Sequence, residues 1–168
     1  MKTKHLTILA MYTTIALTIF VVESLLPTLT PLPGIKLGLA NIVTLWLLIY
    51  ATKRDALAVL LMRIVLASLL AGQMISFAYS LIGGLFCFLA MAALFPLLGR
   101  KYIVFISIAG ALFHNLGQIV TAVAILRSLS ILAYLPVLTI SGITAGAFTG
   151  FCAHFASKKL RKDQVWPL

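Results

Sequence analysis

The residues able to bind or react through polar atoms are few, and they stand where polar residues are expensive. Arg63 and His114 lie inside long apolar runs, Glu23 closes another, and Asn41, Asn115 and Gln118 are amides in otherwise aliphatic stretches. Ser76, Tyr79 and Ser80 add hydroxyls to the run that follows Gln73, and Lys36 precedes the run that holds Asn41. One buried cation, one carboxylate, an imidazole and three amides make a hydrogen-bonding and anion-binding set. They do not make a catalytic one. There is no Walker A sequence, no Asp-rich motif for magnesium diphosphate, and no Ser/His/Asp set with an available carboxylate, because Asp55 and Asp163 sit beside basic residues. ATP hydrolysis or prenyl transfer by this chain alone is therefore not expected. Neither is a catalytic residue, a metal, or a cofactor bound by the chain itself.

The elements that must position these groups follow from composition. Of 168 residues, 62% are hydrophobic and 10% charged, with a mean hydropathy of +1.16, whereas soluble domains carry about 25% charged residues. Apolar runs of about 20 residues suit helices crossing hydrocarbon about 30 Å thick. The expectation is one all-α domain over 1–168, a bundle of six transmembrane helices near 6–26, 37–51, 56–70, 75–98, 104–126 and 131–155. The second and third runs are short enough to be partly unwound, and three prolines between 27 and 33 stop any helix there. The first run follows Lys2 and Lys4 but offers no small-x-small cleavage site, so it reads as retained. Cys87 and Cys152 lack metal-ligand spacing and read as inert core residues.

The net charge of +10 forms no stripe of the kind that binds nucleic acid, and no nucleic-acid partner is expected. It marks topology instead. Lys2, Lys4, Lys53, Arg54, Arg100, Lys101, Lys158, Lys159, Arg161 and Lys162 fall on one side of the bilayer, against Lys36 and Arg127 on the other. This asymmetry predicts that both termini are cytoplasmic. A rise of about 1.5 Å per residue then assigns depth. Glu23, Asn41, Ser76, Tyr79, Ser80 and Gln118 fall in the outer half, with Arg63 near the midplane and His114 and Asn115 just past it. Gly110, His114, Gln118 and Thr121 share one helix face, as do Gln73, Ser76, Ser80 and Gly83. The expectation is an outward-facing polar pocket closed toward the cytoplasm. Structural roles fit the same residues: an Arg63–Glu23 packing pair, interhelical bonding by His114, Asn115 and Gln118, and interfacial anchoring by Lys36 and Tyr79. Gly142, Gly146 and Gly150 recur every fourth residue and predict close helix packing. Ala10, Thr14 and Thr18 form a similar small-residue face, suited to packing or to docking a separate protein. Trp46 and Trp166 read as packing or interfacial residues.

The run Pro33-Gly34-Ile35-Lys36-Leu37-Gly38-Leu39-Ala40-Asn41-Ile42-Val43-Thr44-Leu45, preceded by Glu23-Ser24-Leu25-Leu26-Pro27, resembles the bacterial Gx transporter family, also labelled heptaprenyl diphosphate synthase component I. Arg63, Tyr79-Ser80-Leu81-Ile82-Gly83-Gly84, His114-Asn115-Leu116-Gly117-Gln118 and Ser141-Gly142 extend the likeness over nearly the whole chain. The family in turn is similar to the substrate-binding S components of energy-coupling factor (ECF) transporters. That resemblance implies a pocket near the outer surface capped by the first loop. It also implies a transmembrane coupling protein and two ATPase subunits as partners, ATP being consumed by those ATPases. The ligand would be a small vitamin, cofactor precursor or isoprenoid-related molecule. S components often dock through an Ala-x-x-x-Ala face on the first helix, and Ala10, Thr14 and Thr18 are the nearest counterpart here. The enzyme label implies instead a non-catalytic membrane subunit that holds a soluble prenyl synthase. A carrier working alone would need a polar path through the inner half, which these runs do not offer.

Overall fold

A computed structural model describes residues 2–25, 36–72, 74–160 and 166. The proposed lid, residues 27–34, lies outside the described residues, as do Gln73, Arg161, Lys162 and Asp163. Six α-helices follow in order: α1 (Lys2–Ser24), α2 (Asn41–Tyr50), α3 (Lys53–Ala71), α4 (Met74–Leu98), α5 (Ile103–Leu126) and α6 (Leu135–Lys159). Two 3₁₀ turns, Arg100–Tyr102 and Leu129–Tyr134, join the last three.

Local chemistry explains the helix ends. Thr52 caps α3 by accepting a bond from the Asp55 N–H at 3.2 Å, and Asp55 places its charge at the positive end of the helix dipole. Gly72 ends the same helix in the left-handed region, φ +62°. The first turn of α6 carries Pro136, whose missing N–H costs nothing there.

Among the described residues four segments are long and apolar enough to cross a membrane: Thr3–Ser24, Met74–Leu98, Arg100–Leu126 and Leu129–Lys159. With large exposed side chains such as Leu89, Ile140, Phe148 and Phe155 facing outward, this is the surface of a protein immersed in lipid rather than water. The other two helices meet the expectation of short, partly unwound runs differently, the second run being partly unwound and the third a continuous helix. α2 has 10 residues, a rise of about 15 Å, half the hydrocarbon thickness. The α3 helix has 19 residues but carries Lys53, Arg54, Asp55 and Arg63. Residues 37–40, expected to open the second span, are not helical.

Helix α5 packs most extensively, against α4 on one side and α6 on the other. Glycines set these distances. A Cβ at Gly117 would lie 2.9 Å from the Gly83 Cα on α4, at Gly146 2.7 Å from the Ile108 Cα, and at Gly150 2.8 Å from the Val104 Cα. The Gly142, Gly146, Gly150 stripe thus seats α6 on α5 within the chain. In contrast, α1 leans mainly on α3, and its Ala10, Thr14 and Thr18 face outward, with Thr14 and Thr18 bonding back to the Ala10 and Thr14 carbonyls. The short α2 is mostly buried and touches every other helix. At its far end, His5 pairs with Asp55 at 2.9 Å and meets the Trp166 ring edge-on, tying α1, α3 and the tail together.

Candidate functional site

The site begins where α2 begins. Non-helical backbone at membrane depth is tolerated only when its polar groups are satisfied by protein or line a cavity. Residues 36–40 meet this condition through Glu23. Its two carboxylate oxygens accept the N–H groups of Gly38 and Leu39 at 2.6 and 2.9 Å. The carboxylate therefore acts as a cap supplied from α1 to the start of α2, where the helix dipole favours a negative charge. Gly38 has φ +79°, and a Cβ there would stand 2.8 Å from both Asn41 Nδ2 and His114 Cδ2. Glycine is required twice over, by backbone conformation and by space.

This arrangement replaces the expected Arg63–Glu23 packing pair. Among the described residues the one ion pair within 4.0 Å is His5–Asp55, so neither Arg63 nor Lys36 touches Glu23, although the charges act on one another through space. The fully buried Arg63 donates from Nη2 to Asn41 Oδ1 across a long 3.5 Å, and its guanidinium carbon lies 5.9 Å from the centroid of the Phe20 ring. A Cβ at Gly84 on α4 would crowd Ile64 Cδ1 at 3.1 Å and Leu60 Cδ1 at 3.3 Å and would only touch Arg63 Nη2, at 3.8 Å. Lys36 is half-buried, with Nζ 3.6 Å from the same Phe20 centroid. Two cations thus share one aromatic ring.

His114 on α5 is held between two glycines. Its Nε2 would be 3.0 Å from a Cβ at Gly38, and its Nδ1 and Cε1 3.0 Å from one at Gly83 on α4. Glu23, Asn41, Arg63 and His114 therefore meet around Gly38, and Lys36 joins them through Phe20. The remaining expected residues lie elsewhere. Asn115 turns toward α6, its Nδ2 donating to the Leu138 carbonyl beside Gly142. Gln118 is buried one turn along α5 from His114. Ser76 and Ser80 lie on the buried face of α4 that also carries Gly83 and Gly84. Tyr79 packs into an apolar cluster with Ile119, Ala122, Ile131 and Leu138, which is a core environment.

Four buried polar atoms have no hydrogen-bond partner among the described residues: Asn41 Nδ2, His114 Nδ1, Asn115 Oδ1 and Gln118 Oε1. An unsatisfied buried polar group costs about 1–3 kcal/mol, so four within two helices is a heavy concentration. Below Asn41 a narrow space lined by Leu37, Gly38, Cys87, Met91, Ser107 and Thr149 admits the centre of a water over only about 10 Å³. Ser107 and Thr149 bond to each other at 2.9 Å there, so the half expected to be aliphatic holds a buried hydroxyl pair. Gly38, Phe20, Gly83 and Gly84 are contributors that the sequence reading did not single out as site residues. The left-handed turn at Gly38 was signalled only by a glycine within an apolar run. Phe20 carried no local signal.

A multi-pass, all-helical membrane protein with a polar cluster at the start of a half-length helix is the class that fold and site define. The chain belongs to the family described as heptaprenyl diphosphate synthase component I, whose family model matches residues 12–156. No curated protein matches the chain. No solved structure matches it either.

Proposed function

We propose that this chain is the substrate-capturing S component of an ECF-type uptake transporter. In this reading all six helices form the membrane domain, with both termini cytoplasmic and α2 and the residues before it opening to the outside of a bacterial inner membrane. Residues 27–34 act as the lid. A small vitamin, cofactor precursor or isoprenoid-related molecule with an anionic group binds Arg63 and Lys36. Asn41, His114 and Gln118 supply hydrogen bonds, with Asn115 on the same helix as the last two and Ser76, Tyr79 and Ser80 on the neighbouring α4. The observation that carries the reading is that Asn41 Nδ2 and His114 Nδ1, buried without hydrogen-bond partners, meet around Gly38 beside a buried guanidinium with one long hydrogen bond, while Asn115 Oδ1 and Gln118 Oε1 are left unpartnered elsewhere on α5. A group that a bundle leaves unsatisfied in the fold is one that a ligand can satisfy. A transmembrane coupling protein would dock on the outward-facing Ala10, Thr14 and Thr18 side of α1, and its two ATPases would supply the energy from ATP.

The family description favours a second reading, a non-catalytic membrane subunit of a prenyl diphosphate synthase. Affinity purification of the full chain from its native membrane separates the two. Co-isolation of two ATPases and a membrane coupling protein, with ATP-dependent uptake in proteoliposomes, is the expected result. A stoichiometric soluble prenyl synthase with no ATPase would replace the first reading by the second.

A further inference from the structure

Beside the polar cluster lies a groove of about 390 Å³ between α1 and α3, lined by Phe20, Val21, Ser24, Lys36, Ala67 and Leu70. Its floor, Phe20 and Ala67, is 5% and 2% exposed, whereas Val21 and Leu70 on its rim are 42% and 69% exposed. The groove thus opens sideways, toward lipid, at the end of the bundle where α2 begins. Among the described residues its walls are apolar except at two points. The Ser24 hydroxyl donates to the Val21 carbonyl at 2.6 Å and so is already engaged. That leaves the Lys36 ammonium, which lies over the Phe20 ring, with Arg63 on the same ring deeper in the bundle.

We infer that the ligand of this site is an anionic amphiphile, whose carboxylate or phosphate head is gripped between Lys36 and Arg63 while its hydrocarbon arm lies in the α1–α3 groove. The inference rests on the binding reading above and specifies its substrate class. Charge decides the head: the cluster holds two cations and one carboxylate, and both carboxylate oxygens are committed to backbone N–H groups. The groove decides the arm, because a fully water-soluble anion has no use for an apolar trough open to lipid. A neutral lipid chain has none for a cation at the trough's head. Access from the side also lets the ligand reach Lys36 without first leaving the membrane.

The test uses the full chain in phosphatidylcholine nanodiscs, with radiolabelled dodecyl phosphate and laurate as probes and n-butyl phosphate, acetate and dodecyl maltoside as competitors. Saturable binding of at least one long-chain anion is expected, weakened at least about tenfold, or 1.4 kcal/mol, by Lys36→Gln. Leu70→Trp, which fills the groove from its exposed rim, should weaken the long-chain anion to the same degree while leaving the short-chain competitors unaffected. If short and long anions bind equally and Leu70→Trp changes neither, the groove plays no part and this inference falls while the anion site stands. If dodecyl maltoside competes as well as dodecyl phosphate, the head is not recognised and the inference also falls. If no anion binds and Arg63→Ala matches the wild type, the binding reading fails with it.

Discussion

Replacing Gly38 by alanine should damage the site by two separable effects, and two other glycines measure each effect alone. At Gly72, φ is +62° and nothing lies within 4 Å of an added Cβ, so Gly72→Ala reports backbone strain only, about 1–2 kcal/mol. Gly83 is helical, but its Cβ would lie 3.0 Å from His114 Cε1, Nδ1 and the carbonyl oxygen. Gly83→Ala thus reports crowding, about 1–3 kcal/mol, once the roughly 1 kcal/mol that alanine gains over glycine inside a helix is added back. Gly38 combines φ +79° with contacts of 2.8 Å to Asn41 and His114, so Gly38→Ala should cost about 2–5 kcal/mol, the sum of the other two. Reversible unfolding in mild detergent, followed by near-ultraviolet circular dichroism, gives all three values. Ligand binding should fall with Gly38→Ala and Gly83→Ala and stay unchanged with Gly72→Ala. Equal losses from Gly38→Ala and Gly72→Ala, with binding intact, would show that Gly38 is an ordinary turn residue and that His114 is not packed on it.

Two further substitutions test the scaffold. Glu23→Ala should leave the Gly38 and Leu39 N–H groups unpaired and cost about 1.5–3 kcal/mol for each lost charge-assisted bond, with Glu23→Gln losing less, as read by the same unfolding measurement. Gly146→Leu would push a side chain against the Ile108 backbone and should lower stability by about 3 kcal/mol or more, whereas Phe148→Leu, on the exposed face of α6, should leave the melting temperature nearly unchanged.

Much of the site could be read from polar residues in apolar runs, because hydrocarbon makes each such residue conspicuous. Arg63, Asn41, Glu23 and His114 stand out in that way, and depth arithmetic already puts them between the midplane and the outer edge. What each one does is a different matter. Glu23 and Arg63 invite pairing by charge, yet the carboxylate is drawn to the two amides that the left-handed turn at Gly38 leaves open. That competition depends on a contact 15 residues away in sequence. The shortness of the second run was legible, but not where its helix starts, since Leu37 and Leu39 are as apolar as the helix that follows them. Phe20 was hidden among aliphatic neighbours, although two cations converge on it. Tyr79 and Asn115 illustrate the opposite limit: both are polar residues at suitable depth, and both are directed into the α4–α5–α6 packing rather than toward Arg63.

The account stands most directly on whether the polar cluster around Arg63 holds a small molecule. Native mass spectrometry of the gently purified chain, followed by analysis of released compounds, reads this for the wild type and for Arg63→Ala in parallel. The expected result is a stoichiometric anionic compound present in the wild type and absent from a folded Arg63→Ala protein. An empty wild type, or a compound retained equally in both, would contradict the assignment of this cluster as a binding site.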